Sequence, residues 1–372
     1  MTAPSEVPAL RTYAGDRRYY WNLESLRFLC AILVTIVHIP WPTSLKAVPF
    51  IPEAWLFVDF FFVLSGFVIA MNYRDRLQSL GSVKRFLIRR FFRLYPLHLV
   101  TLLAMAALIA ARNLVGTPGS EIGPATVTKD WSWLVPLNLT LLQAMGFTNR
   151  QILNAPSWSI STEWFAYCTF ALIALGCRHR LQWSVWSFLA IAGMALLAWL
   201  NGPLGVEGVF AHSFIRCIAS FALGVLVQMV IDRKSTFSLP PSIAGWSQLA
   251  VIACALTMIA RTGSNQWIGY FVPFVFALLI GLMAADHGSI VRRILEIKPL
   301  EHLGKRSYSI YMVHTPIVTS IDFVLRRLHQ GESILVGNAA ALVYLAFVIA
   351  TSEMTYRYVE QPWRVFGRKV AA

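Results

Sequence analysis

Apolar segments of bilayer length recur along this chain, near 27–42, 54–72, 96–112, 158–176, 183–200, 210–231, 244–260, 267–285, 303–324 and 333–355. A hydrocarbon core about 30 Å thick takes roughly 20 helical residues. Within it, backbone groups must be satisfied inside the segment itself. With 57% hydrophobic and 13% charged residues, no long polar stretch remains for an independent soluble domain. The chain reads as an all-α polytopic membrane protein, about ten transmembrane helices in one bundle.

An eleventh stretch, WSWLVPLNLTLLQAMG at 131–146, is short and contains Pro136, Asn138 and Gln143. Charge decides its status. If it does not span, one set of connections carries 21 cations and the opposite set seven. The positive-inside rule then places both termini in the cytoplasm. Counting it as a span would invert everything after it and remove the asymmetry, so 131–146 is expected to be re-entrant or interfacial. Residues 1–26, with Pro4, Pro8, Arg11, Arg17 and Arg18 and no apolar core, do not resemble a cleaved signal peptide. They are expected to form a cytoplasmic tail, followed by a membrane domain over 27–355 and a second tail over 356–372.

The formal charge of +14 reflects this cytoplasmic bias, which anionic lipid head groups favour. No nucleic-acid motif accompanies it, and membrane lipids are the expected partners. Cys30, Cys168, Cys177, Cys217 and Cys254 are scattered without a C-x-x-C, and the eight histidines lack ligand spacing. Neither a disulfide framework nor a metal site is expected.

Ionisable residues inside such segments are costly, which makes them functional candidates. In RFLCAILVTIVH, eleven positions separate Arg27 from His38, so a helix puts both on one face roughly 16 Å apart. Imidazole takes protons near neutral pH, which suits general-base work. A snorkelling arginine and a packed histidine fit the same pattern. In KRFLIRRFFRLYP at 84–96, Arg89, Arg90 and Arg93 fall within two turns. Forked guanidiniums match phosphate oxygens, and they also anchor helices at head groups. Ser65 and Gly66 permit close helix contact or admit a ligand, while Asp59 near the end of its segment fits an interfacial place. Glu163 needs a buried partner, and Trp158 and Ser161 beside it would line a polar cavity. Tyr308 and His314 open the ninth segment.

Six pieces, in order, resemble the acyltransferase-3 family of bacterial integral-membrane O-acyltransferases, which includes O-antigen, exopolysaccharide and nodulation-factor acetylases. They are LRFLCAILVTIVH, FFFVLSGFVI, RRFFRLYP, PSWSISTEWFAY, LGKRSYSIYMVHTP and VEQPWR, spanning residues 26 to 364. The sequence departs from the family's pattern at Trp164, where a second acidic residue is common, and at Ala166, often aromatic. The resemblance implies transfer of an acyl group, most often acetyl, from cytosolic acyl-CoA to a carbohydrate or glycolipid hydroxyl at the outer face of the bacterial inner membrane. Envelope glycan biosynthesis would supply its partners. It assigns His38 as catalytic histidine, Arg27 as its paired arginine, and Arg90 with Arg93 to the donor. With these stand Glu163 as a further catalytic candidate, Arg89, Ser65 and Gly66 around the donor, and Trp158, Ser161, Tyr308 and His314 along the substrate path. The rival reading is a proton-coupled secondary transporter using His38, Glu163 and His314 as a relay. Such proteins often carry repeated halves, and no convincing repeat is visible here.

Overall fold

The computed structural model describes residues 20–115, 131–148, 153–206, 210–233, 239–329 and 333–372. Residues 1–19 of the tail expected over 1–26, and the cations Lys129, Arg150 and Lys234, lie outside them. Among the described residues there is no strand. The α-helices are α1 (Trp21–Val37), α2 (Phe57–Tyr73), α3 (Leu80–Val115), α4 (Trp131–Leu139), α5 (Trp158–Gly176), α6 (His179–Asn201) and α7 (Ser213–Arg233). They continue with α8 (Pro241–Thr262), α9 (Val272–Ala284), α10 (Ile290–Leu295), α11 (Lys298–Gly304), α12 (Ser307–Arg327), α13 (Ile334–Thr355) and α14 (Gln361–Val370).

Among the described residues, seven helical stretches are long and apolar enough to cross a membrane, built on α2, α3, α6, α7, α8, α9 and α13. The other three expected segments form α1, α5 and α12, of 17, 19 and 21 residues. Helix α1 is short by a residue, while polar and charged side chains lower the hydropathy of α5 and α12.

Helix α3 runs unbroken for 36 residues, about 54 Å. The arginine-rich stretch and the span expected after it are therefore one rod, with Pro96 inside it. Helix α4 has 9 residues and contains Pro136. At about 14 Å it is far shorter than a bilayer core.

Two glycines let α2 and α7 touch. A Cβ on Gly224 would lie 1.8 Å from the Val63 carbonyl oxygen, and one on Gly66 would lie 2.0 Å from that of Phe221. Only hydrogen fits there, the small-residue packing used where lipid offers no hydrophobic drive. Gly66 is thus spent on helix contact and does not line the cavity described below. Between the same helices, Asp59 is wholly buried and Arg216 is 2% exposed. The Arg216 Nη2 donates to Asp59 Oδ2 at 2.7 Å and its Nε to Oδ1 at 3.1 Å. The expected interfacial aspartate is instead a core ion pair, because a cation on a distant helix compensates its charge.

Proline also shapes α12. Pro316 has no N–H to give the carbonyl of Met312 four residues back, and the side-chain amide of Asn154 donates to that carbonyl at 3.2 Å. The segment leading into α5 is thereby tied to α12 beside His314.

Candidate active site

A cavity of about 250 Å³ opens between α1, α2, α3, α5, α12 and α14. Helix pairing brings four arginines to it: Arg27 from α1, Arg90 and Arg93 from α3, and Arg364 from α14. Two carboxylates, Glu24 and Glu163, share the lining. Glu24 is the ion-pair partner of Arg27 at 3.1 Å, one helical turn earlier.

Arg90 lies with its guanidinium 5.1 Å from the centre of the Tyr73 ring and donates to that hydroxyl at 3.0 Å. Its Nε is buried without a partner. Ser307 Oγ, also on the lining, is buried and unpartnered too. Unmatched polar atoms of this kind are places where a ligand completes the hydrogen bonding. Helix α14 enters because Trp363 stacks on Phe92 of α3, with planes 3° apart and centroids 5.8 Å apart. Arg364 then donates to the buried Glu360 at 3.4 Å, and Ser309 holds the other oxygen of that carboxylate at 2.9 Å.

Glu163 has one oxygen held twice. Ser65 donates to Oε1 at 2.6 Å, and the Tyr167 hydroxyl donates to the same atom. Its carboxylate thus has hydroxyl partners where sequence demanded some buried partner, and Ser65 belongs to the cavity through this contact. Tyr308, also on the lining, donates to the Leu94 carbonyl of α3 at 2.6 Å.

His38 caps the end of α1, outside the lining, and is exposed. Its Nδ1 lies 2.7 Å from the Val34 carbonyl. A carbonyl only accepts, so Nδ1 carries the proton and Nε2 keeps its lone pair. The buried His314 ring sits 4.8 Å away, centroid to centroid, with its own Nδ1 on the Tyr311 carbonyl. Tyr311 lines the cavity, and its ring is 5.7 Å from that of His314. The histidine pair therefore stands one aromatic ring beyond the cavity.

Other sequence candidates lie elsewhere. Arg89 is on α3 but not on the lining, Trp158 packs against the Arg216 guanidinium at 5.4 Å, and Ser161 donates to the Leu141 carbonyl at 2.5 Å. These last two brace α5 and do not line the cavity. Glu24, Tyr73, Arg364 and Tyr311 were missed as site residues. Glu24 was signalled by its i, i+3 spacing to Arg27, and Arg364 and Tyr311 by their motifs. Tyr73 carried no signal. Among the described residues, no group of three or more His, Cys, Asp or Glu could hold a metal ion.

The acyltransferase domain family matches residues 20–353. The chain belongs to the acyltransferase-3 family. Acyltransferase MdmB of Streptomyces mycarofaciens is 28% identical over 352 residues, covering 84% of this chain and 81% of MdmB. O-acetyltransferase OatA of Staphylococcus aureus is 26% identical over 381 residues, covering 95% of this chain. This chain spans 59% of OatA's length. No solved structure matches the chain. The family match extends from α1 into α13 and takes in every helix of the cavity except α14. This member is a multi-pass membrane protein and an acyltransferase, and the relatives do not favour a transporter.

Proposed function

We propose that this acyltransferase moves an acetyl group from acyl-CoA on the cytoplasmic side to a hydroxyl of a cell-envelope, exported or lipid-linked carbohydrate on the outer side. It sits in the bacterial inner membrane with about ten spans, both termini in the cytoplasm, and α4 re-entrant or interfacial. The observation that carries this reading is the cavity with four guanidiniums on its lining and, one ring past Tyr311, a histidine whose Nε2 is free to take a proton.

Arg27, Arg90, Arg93 and Arg364 would bind the donor's phosphates, since four cations against two carboxylates leave the lining positive. The unpartnered Arg90 Nε and Ser307 Oγ fit a ligand rich in acceptors. The donor supplies a thioester carbonyl open to attack by an alcohol. His38 Nε2 accepts the proton of the attacking sugar hydroxyl, a contribution of about 10² to 10⁴-fold. Val34 holds the imidazole in the tautomer this requires. Arg27, roughly 16 Å away along α1, works on the donor path, and Glu163 positions Ser65 and Tyr167 on the cavity wall.

Mass spectrometry of envelope glycans and glycolipids, with and without the gene, tests this. Loss of one acetyl mass is expected. An unchanged profile accompanied by altered solute uptake would instead support a transporter.

A further inference from the structure

Helix α12 begins on the cavity. Ser307 and Tyr308, its first two residues, both line the space, and Arg306 at the N-cap offers no side-chain cap. The first backbone hydrogen bond of the helix runs from Ile310 to the Arg306 carbonyl at 2.8 Å. The N–H groups of Ser307, Tyr308 and Ser309 therefore have no acceptor on the helix, and they carry the positive end of its dipole. Ser307 is 1% exposed, and its Oγ is buried without a partner.

Three contacts set this helix end among the cations of the lining. Gly304, lacking a Cβ, lets the end of α11 rest on the Glu24 carbonyl of α1, one turn before Arg27. The Tyr308 hydroxyl donates to the carbonyl of Leu94, the residue after Arg93 on α3, at 2.6 Å. Ser309 donates to Glu360 at 2.9 Å, and the other oxygen of that carboxylate accepts from Arg364. Both carboxylates are already matched, Glu24 by Arg27 and Glu360 by Arg364. A helix N-terminus and an unpartnered hydroxyl, with guanidiniums on three neighbouring helices, make a site for a phosphate.

Position along the cavity selects which phosphate. Arg90 is held by Tyr73 at the end of α2. Ser307 stands one turn before Tyr311, whose ring meets that of Phe61, about 18 Å of α2 away from Tyr73. Ser307 is thus on the histidine side of the cationic lining. In acyl-CoA the diphosphate joins the pantetheine arm that carries the thioester, while the 3′-phosphate stands apart on the ribose. We propose that the N-terminus of α12, with the Ser307 hydroxyl, binds the diphosphate of the donor. This rests on the donor reading given above.

The test reads donor kinetics of the chain in lipid nanodiscs, with the glycan and glycolipid fraction of a host lacking the gene as acceptor. Ser307→Ala is expected to raise KM for acetyl-CoA by about tenfold or more, as loss of a hydrogen bond to a charged group should, and to act on KM more than on kcat. ADP, which carries the diphosphate without the 3′-phosphate, is expected to compete with acetyl-CoA and to lose as much in Ki. Adenosine 3′-monophosphate should act equally on the variant and the unaltered chain. Ser307→Cys, similar in size but a weak donor, should follow the alanine variant and guards against a packing effect. An unmoved KM or an unmoved ADP Ki overturns the proposal. So does a Ki shift for adenosine 3′-monophosphate, which would put the ribose phosphate at α12. Absence of any transfer by the unaltered chain would instead overturn the functional reading, and this subsite with it.

Discussion

His38 of α1 and His314 of α12 hold their ring centroids 4.8 Å apart, each with Nδ1 committed to a backbone carbonyl of its own helix. Neither ring can offer Nδ1 as a base. The basic nitrogen of the pair is Nε2, and on His314 that atom already lies 3.3 Å from the Thr315 hydroxyl.

His38→Ala is therefore expected to lower acetyl transfer by about 10² to 10⁴-fold while the protein remains folded and inserted. His314→Phe, which keeps the ring, should cost less. Transfer rates of both variants in nanodiscs, alongside their thermal melts, check the order of the two effects.

Cations on the lining should govern donor affinity. Hydrogen bonds to charged groups are worth about 1.5 to 3 kcal/mol, so Arg90→Ala and Arg364→Ala should each raise KM for acyl-CoA by about tenfold or more. Arg89 does not line the cavity, and Arg89→Ala should change KM least. Initial rates over a range of acyl-CoA concentrations separate the three.

Asp59→Ala strands the buried Arg216 guanidinium between Trp55 and Trp158, whose ring centres lie 5.0 and 5.4 Å from it. Removing one partner of a buried pair costs about 3 to 5 kcal/mol. A clear fall in Tm is expected, and replacing both residues by apolar ones of similar size should recover most of it. Thermal melts in detergent measure both.

Gly224→Ala puts a methyl 1.8 Å from backbone oxygen, which no side-chain rotation relieves. It should separate α2 from α7 and abolish monodisperse folded protein. A Cβ on Gly176 meets nothing within 4 Å, and Gly176→Ala should be tolerated. Size-exclusion profiles of the two variants make the comparison.

The all-helical membrane character of the chain and the polar side chains on α1, α5 and α12 were legible because each is local, written in hydropathy or in a spacing along one helix. Glu24 was within reach by the same logic. The Asp59 and Arg216 pair was not, since its partners are on α2 and α7 and no periodicity announces which helices touch. Phe61 was hidden for a different reason. It stands in the run Phe60, Phe61, Phe62, and only the fold decides which of three identical rings turns toward Tyr311.

The unbroken course of α3 acts as an indexing shaft. Arg90 and Arg93 meet the cavity, the Leu94 carbonyl accepts from Tyr308, the His98 ring donates to the Asn138 carbonyl at 2.9 Å, and the Thr101 hydroxyl accepts from Asn154 at 2.9 Å. All of these contacts fall on one side of the helix. A single residue inserted between Arg93 and His98 would turn everything beyond it by about 100°. The arginines and the contacts further along α3 would then be out of step, although no site residue had been changed.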